Sequence, residues 1–180
     1  IKDVYFEYDK QIYRNIHHLK EKIYKFSDLE NLKEELKNLE RQITLFHANV
    51  IKKISEYNKI DIIGFHGQTI YHNSQKKISN QLGDGKLLSQ LVKRDIVYNF
   101  RQDDIKNGGE GAPLTPIFHQ LLATQYKLDL PVCILNIGGI SNITIISEAT
   151  GTLGFTSRDI GPGNCLIDSW VRKNSKQNFD

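Results

Sequence analysis

The chain has 180 residues, of which 39% are hydrophobic and 25% charged, and this ordinary globular composition excludes a disordered protein. Its formal charge of +3 is small and its lysines are scattered, which excludes a nucleic-acid partner, since such proteins carry a basic stripe with interleaved aromatics. No stretch is apolar and long enough to span a bilayer. Cys133 and Cys165 lack metal-ligand spacing, which indicates a reducing, cytoplasmic compartment and no disulfide framework.

Residues 9–57 are predicted to be helical. Ser27 and Glu30 are spaced as a capping box at a helix start. We interpret the region as a scaffold helix pair, with a coiled-coil interaction arm as the alternative. In its second part, apolar residues recur at spacings of three and four and form one face of a long helix: Leu32, Leu36, Leu39, Ile43, Phe46, Val50 and Ile54.

An alternation of strands and helices is predicted from Ile60 to Leu130. The run IDIIGF, residues 60–65, is typical of a buried strand that leads into a functional loop, and a polar loop follows it. Residues 85–93 suit a helix, RDIVYNF at 94–100 a second strand, and PLTPIFHQLLATQY at 113–126 another helix. Pro116 fits that helix only in its first turn.

A hairpin is predicted next. PVCILNI at 131–137 is a strand, GGISN a tight connection, and ITII at 143–146 the return strand. LGF at 153–155 is a third strand, DIGPGN at 159–164 a glycine loop, and CLIDSWV the opening of a helix. The fold class is therefore α/β with mixed sheets.

Two short loops carry polar residues. His66, Gln68 and Thr69 come at the end of the first strand, where ligands of open α/β sheets bind. Their imidazole, amide and hydroxyl groups suit a polyhydroxylated ligand, and a histidine satisfied within a turn is the equal alternative. Asp84 lies between two glycines, which is typical of an ordinary turn, although its carboxylate can also accept hydrogen bonds from sugar hydroxyls.

The segment FRQDDIKNGGEGAPL, residues 100–114, places two acids before a glycine cluster. It lies at the same sheet edge as HGQT if the two strands are parallel. A carboxylate there can act as a general base, Arg101 can anchor an anion or orient an acid, and glycines let backbone N–H groups approach a ligand. The alternative is a flexible surface loop. A glycosidase pair is disfavoured because adjacent side chains point apart in an extended segment.

The segments LNIGGISN and DIGPGN are two glycine-rich turns that flank the predicted hairpin. Such turns expose successive N–H groups to phosphate oxygens. The helix after Asn164, with Asn164 as its cap, adds the positive end of its dipole, and Asp159 can hold Mg²⁺ through water. The alternative is a pair of ordinary tight turns.

Taken together these segments resemble the anhydro-N-acetylmuramic acid kinase family, of the sugar kinase, heat-shock protein 70 and actin superfamily. The similarity runs from residue 60 to 170 and is carried, in the family's order, by HGQT (66–69), QLGD (81–84), FRQDD (100–104), GGEGAPLTPIFH (108–119), LNIGGISNIT (135–144) and DIGPGN (159–164). Residues 1–59 match by helical character. The implied fold is actin-like or ribonuclease H-like, with two lobes of mixed sheets flanked by helices, incomplete in this chain. We expect residues 1–129 in the first lobe and 130–180 at the start of the nucleotide-binding lobe.

The resemblance implies an ATP- and Mg²⁺-dependent reaction on 1,6-anhydro-N-acetylmuramic acid in peptidoglycan recycling. Water opens the anhydro bridge, and O6 takes the γ-phosphoryl group, giving N-acetylmuramic acid 6-phosphate. The last acid of the FRxxD segment, Asp104, would be the general base. The implied sugar-binding residues are His66, Gln68, Thr69, Asp84, Arg101, Gly109 and Gly111; those for ATP are Asn136, Gly138, Gly139, Asn142, Asp159, Gly161, Gly163 and Asn164, with Asp159 also for Mg²⁺.

The sequence departs from the family at several points. The family's G-T-S-x-D-G phosphate loop and its C-terminal half are missing, the chain starts at Ile1, and it contains no methionine. We therefore expect a piece of a longer protein that is inactive and poorly folded by itself. Ile160 replaces a small hydroxyl residue, and Gln102 and Asp103 stand where the family tends to be basic. Another carbohydrate kinase, or a catalytically silent nucleotide-binding module, stays an alternative, and a homodimer is left open.

Overall fold

The computed structural model describes residues 3–54, 59–149 and 152–177. The last residues of the predicted helical region, 55–57, lie outside this part of the chain. The chain divides into two compact units, Ile1–Ala112 (unit 1) and Pro113–Asp180 (unit 2). The lobe boundary predicted at residues 129–130 concerns the whole protein and stays a prediction. Helices and strands are mixed throughout the described residues, which confirms the α/β class.

Unit 1 begins with three helices, α1 (Lys10–Lys20), α2 (Phe26–Asn31) and α3 (Lys33–Lys53). The predicted apolar face is confirmed in α3, where Leu36, Leu39 and Ile43 are buried against α1. The scaffold interpretation is therefore favoured over an extended arm.

The predicted capping box is wrong. Ser27 lies inside α2, and the carboxylate of Asp28 instead accepts hydrogen bonds from the backbone N–H groups of Tyr24 and Lys25, both at 3.0 Å. These two bonds lower the pKa of Asp28. The observed capping acid thus lies two residues before Glu30, and the N-cap is Lys25 instead of Ser27.

The remainder of unit 1 contains two strand pairs and two helices. Strands β1 (Ile62–Gly64) and β4 (Asp95–Val97) pair in parallel, while β2 (Gln68–Asn73) and β3 (Ile78–Leu82) form an antiparallel hairpin. Helix α4 (Gly85–Val92) confirms the helix predicted there. Helix α5 (Phe100–Lys106) follows β4. A second core cluster joins α3 and α4 through Ala48, Ile51, Phe65, Leu88 and Val92.

Three predictions for this region are corrected. The first strand was predicted to be buried, but Ile62 is exposed. The predicted polar loop after HGQT is the β2–β3 hairpin. The second strand ends at Val97, and the paired acids belong to α5 rather than to a loop; Asn99, with a left-handed φ of 62°, turns the chain from the strand into this helix.

Unit 2 consists of helix α6 (Pro116–Gln125), strands β5 (Val132–Ile137), β6 (Ile140–Ala149) and β7 (Thr152–Pro162), and helix α7 (Asn164–Asn174). The strands form one antiparallel sheet in the order β5–β6–β7. Pro116 lies in the first turn of α6, as predicted. The hairpin and the final helix are confirmed as well.

The predicted glycine loop DIGPGN is corrected. Asp159 to Pro162 belong to β7, which pairs with β6 as far as Ile140. Asn164 is the first residue of α7 and Gly163 is the N-cap, so Asn164 is not the cap. The turn is consequently shorter and tighter than the sequence indicates.

Candidate active site

The ends of two parallel strands bring two of the predicted motifs together in unit 1. Gly64 at the end of β1 lies opposite Val97 at the end of β4, and the N–H of Phe65 donates to the carbonyl of Val97 at 2.8 Å. His66 therefore leaves the same sheet edge as α5. The condition under which the two motifs were expected to share an edge is met.

Helix α5 separates the two acids of FRQDD. Asp103 is exposed and pairs with Lys106 at 3.0 Å. Asp104 is half-buried, and its Oδ2 accepts the N–H of Gly111 at 2.8 Å. Because neighbouring residues on a helix project about 100° apart, the two carboxylates have different surroundings, and the half-buried one is the acid selected from the sequence as the general base.

The glycine segment after α5 folds back onto Asp104. The N–H of Gly109 donates to the backbone carbonyl of Asp104 at 2.9 Å. A Cβ atom at Gly109 would collide with the Asp104 carboxylate. These glycines therefore bring the backbone to the acid itself, and a larger residue at Gly109 would displace the carboxylate.

Arg101 joins the two motifs. Its Nε donates to His66 Nε2 at 3.0 Å, and its Nη1 donates to the carbonyl of Gly111 at 2.8 Å. Burial lowers the pKa of the Arg101 guanidinium below its ordinary value, although an arginine stays charged in proteins. The structure thus connects His66, Arg101, Asp104, Gly109 and Gly111.

The other residues of the HGQT motif lie in β2. Thr69 Oγ1 accepts a hydrogen bond from Gln81 Nε2 at 3.3 Å, and the same amide donates to Ser79 at 2.7 Å. Gln68 Nε2 lies 3.4 Å from the carbonyl of Thr69. Thr69, Ser79 and Gln81 thus form one hydrogen-bonded polar group on the hairpin, and the roles of Gln68 and Thr69 in sugar binding stay predictions.

Asp84 has a structural role in the described residues. Its Oδ1 accepts the N–H of Leu87 at 2.9 Å and so caps α4. Its own N–H donates to Thr44 Oγ1 at 3.0 Å, and the N–H of Gly83 donates to Glu40 at 3.1 Å. Glu40 and Thr44 thus fix the QLGD turn to α3. The sequence gives one signal for them, a hydroxyl residue next to Ile43 in the apolar face.

The two glycine turns of unit 2 contact each other. The N–H groups of Gly163 and Asn164 donate to the carbonyls of Gly139 and Gly138 at 2.9 and 2.8 Å. A Cβ at Gly163 would collide with the carbonyl oxygen of Gly138 and come within 2.8 Å of Ser141 Oγ. The turns are therefore one structural element, and these two N–H groups are used within the protein.

Three predicted nucleotide-binding side chains lie in a row across the sheet. Asn142 in β6 is the cross-strand partner of Asn136 in β5 and of Asp159 in β7. Directly opposite residues project from the same face of a sheet. Gly161, opposite Ser141, is next to the row.

The donor chemistry of this row fits Mg²⁺. Asn142 Oδ1 is buried without a hydrogen-bond partner among the described residues, and Asp159 is exposed beside it. Amide and carboxylate oxygens are the ligands Mg²⁺ takes from protein, with water and phosphate completing its coordination. In the described part of the chain, no group of three or more His, Cys, Asp or Glu residues is arranged to hold a metal by itself.

None of the described helices combines the length and the apolar character needed to cross a membrane.

Comparison with known proteins gives a consistent result. A family model described as anhydro-N-acetylmuramic acid kinase matches residues 5–180. A curated protein of that name from Pelagibacter ubique (strain HTCC1062) is 53% identical over 180 residues, covering 99% of this chain and 48% of the relative. Those from Brucella canis and Methylobacterium nodulans are 40% and 41% identical, covering 81% of this chain and 40% and 39% of the relatives. The chain therefore spans about half the length, or less, of these relatives.

Proposed function

The chain belongs to the anhydro-N-acetylmuramic acid kinase family, and on that premise we propose that the whole protein is an ATP-dependent kinase of 1,6-anhydro-N-acetylmuramic acid. It opens the anhydro ring with water and phosphorylates O6, giving N-acetylmuramic acid 6-phosphate for cell-wall recycling. The observation that carries this proposal within the family is the half-buried Asp104 carboxylate, held beside a glycine segment at the end of a strand.

The reaction has two steps, and each of them forms one bond and breaks another. The oxygen of water bonds to the anomeric carbon while the bond from that carbon to O6 breaks. O6 then takes the γ-phosphoryl group of ATP, and ADP leaves. Asp104 accepts the proton that the attacking water loses. A positioned base of this kind typically accelerates a reaction about 10²–10⁴-fold.

The surroundings of Asp104 support this role. The hydrogen bond from Gly111 engages Oδ2 and fixes the plane of the carboxylate. A base must lie within hydrogen-bond reach of the proton it removes, and the absence of a side chain at Gly109 lets the carboxylate keep its present position. Asp103, by contrast, is exposed and paired with Lys106.

For the nucleotide, we propose that the joined glycine turns of unit 2 and the row of Asn136, Asn142 and Asp159 contact ATP. Asp159 and Asn142 would hold Mg²⁺, which when bound neutralises charge on the phosphates. The contact between Gly138 and Asn164 directs the binding to N–H groups other than those of Gly163 and Asn164. Phosphoryl transfer depends mainly on positioning and on charge stabilisation, which such turns supply.

The test uses the full-length protein with ATP, Mg²⁺ and the anhydro sugar in ¹⁸O-labelled water. We expect the 6-phosphate with one ¹⁸O at the anomeric carbon, above the exchange background of N-acetylmuramic acid in the same water. A phosphorylated sugar without that label indicates a kinase that uses a plain hydroxyl acceptor. ATP binding without any sugar product indicates a silent module. Either result contradicts the proposal.

The role of Asp104 is tested with a matched pair of variants. Asp104→Asn keeps an oxygen that accepts the N–H of Gly111 but removes the base, so turnover should fall about 10²–10⁴-fold while ATP still binds. Asp103→Asn changes the adjacent exposed acid and should stay close to the parent. Near-parental turnover of Asp104→Asn, or an equal loss in both variants, would remove the assignment.

A further inference from the structure

Two side chains on one face of α5 bind both the backbone N–H and the backbone carbonyl of Gly111. Arg101 and Asp104 are three residues apart and so lie on the same helix face. Asp104 Oδ2 accepts the N–H of Gly111 at 2.8 Å, and Arg101 Nη1 donates to the carbonyl of Gly111 at 2.8 Å. The backbone donor and acceptor of Gly111 are thus both held by this helix, and the position of the Asp104 carboxylate depends on where Arg101 holds the segment.

The geometry at Gly111 requires close backbone contact. Its φ is +75°, a backbone conformation that residues other than glycine rarely adopt. A Cβ atom would lie 2.8 Å from the side chain of Ile105 and 3.1 Å from the carbonyl of Arg101. The segment therefore rests directly on α5, without a side chain between them.

Arg101 also determines the protonation of His66. A guanidinium has donors only, so His66 Nε2 must accept the hydrogen bond from Arg101 Nε. The proton then lies on Nδ1, which donates to the carbonyl of Gly67 at 2.9 Å. A doubly protonated imidazole has no acceptor and could not keep this contact. While Arg101 holds it, His66 therefore has the Nδ1–H form, with Nε2 as the acceptor.

We propose that Arg101 is a positioning residue, which orients Asp104 through Gly111 and fixes the tautomer of His66, instead of binding the sugar directly. The inference rests on the proposed function, because it gives Arg101 a part in the reaction of Asp104. Two of its nitrogens, Nε and Nη1, are used within the protein, whereas a sugar contact was expected from the sequence. Lysine cannot reproduce this role, since a single ammonium lacks the planar fork that reaches both partners.

The kinetic test uses Arg101→Lys and Arg101→Gln in the full-length enzyme, with Lys106→Ala on the same helix as control. Misplacement of a reacting group by about 1 Å costs about 10²-fold in rate. We expect kcat to fall about 10- to 100-fold while KM for the anhydro sugar changes less than about threefold. Lys106→Ala should match the parent. A large rise in KM with kcat retained would show direct sugar binding and overturn the proposal, as would parental kinetics in both Arg101 variants.

A second measurement on the full-length parent does not need turnover. Histidine ¹⁵N NMR should show that the neutral ring of His66 carries its proton on Nδ1, and Arg101→Gln should lose that preference. An Nε2–H tautomer in the parent would overturn the proposal even if the variants fail to fold. If the parent forms no 6-phosphate, the proposed function fails, while the NMR result still decides whether Arg101 holds His66.

Discussion

The two units of this chain bury their apolar side chains to very different extents. Unit 1 packs its large aliphatic residues into two clusters, one between α1 and α3 and one between α3 and α4. Among the described residues of unit 2, Ile146 is the large aliphatic residue that is buried. Its exposed large apolar residues include Ile117, Phe118, Leu121, Leu135, Ile137, Ile140, Leu166, Ile167 and Trp170.

This difference shows that the fold of each unit is stabilised by different interactions. Helix α5 and the HGQT segment, in unit 1, begin from strand ends beside a packed core. In unit 2, main-chain ladders and the bonds between the glycine turns supply most of the order. Exposed apolar area of this extent marks a contact surface, so we expect the poor stability predicted from the sequence mainly in unit 2.

The largest expected effect comes from the same substitution placed in each unit. Leu88 in α4 is 0% exposed, whereas Leu166 in α7 is 63% exposed. In the 180-residue chain, Leu88→Ala should lower the free energy of unfolding by about 2–5 kcal/mol, because it leaves a cavity. Leu166→Ala should change it by less than about 0.5 kcal/mol. Urea unfolding followed by circular dichroism measures both.

Equal costs for the two leucine variants would break the comparison, since they would mean that Leu166 is packed. Repeating the pair in the full-length protein sharpens the comparison. A larger cost of Leu166→Ala there than in the 180-residue chain would mean that this face of α7 is covered in the whole protein.

A smaller effect is expected at the joined glycine turns. Gly163→Ala forces a Cβ against the carbonyl of Gly138 and weakens the bonds that hold the start of α7. We expect it to destabilise unit 2 by about 1–3 kcal/mol. Gly154→Ala is the control, because a Cβ there meets nothing within 4 Å. Hydrogen exchange of the α7 amides measures the loss, and equal protection in the two variants would contradict the close contact.

The smallest effect is a pH dependence in unit 1. Burial lowers the pKa of His47, whose ring packs against Phe65 with 5.0 Å between centroids. The folded state therefore favours the neutral ring, and this contribution is present above the ordinary pKa of 6.5 and is lost as the pH falls through the lowered value.

Comparison of the parent with His47→Gln isolates this contribution from the other histidines. Between pH 7.5 and 5, the parent should lose more unfolding free energy than the variant, by no more than about 1.4 kcal/mol per pH unit. The free energies come from urea titrations at each pH. A variant that loses as much as the parent would show that His47 titrates as in the unfolded chain.

The elements predicted correctly from the sequence are those in which apolar and polar residues follow a regular spacing. The stripe of Leu36, Leu39 and Ile43 identified α3 because helical spacing reports burial directly. The β2–β3 hairpin was missed because polar residues occupy both of its strands. Helix α5 was missed because Ile105 is its buried residue, and seven residues carry too little apolar pattern.

The site shows the same division. The sequence placed HGQT and FRQDD at one sheet edge on the condition that the strands before them are parallel, and the parallel pairing of β1 with β4 meets that condition. The roles of Asp84 as a helix cap and of Glu40 and Thr44 as its supports were not foreseen. Those contacts join residues about forty positions apart, and the one local signal, a hydroxyl residue next to Ile43, does not identify its partner.

Local spacing and residue type therefore established the α/β class, the core stripe of α3 and the family motifs. Folding of the chain decided that Asp104 and Asp103 have different surroundings, that Arg101 engages His66 and Gly111, and that Gly138 meets Asn164. The physical reason is that apolar periodicity is a property of residues close together in the sequence. These hydrogen bonds form only when atoms that are distant in the sequence come within about 3 Å.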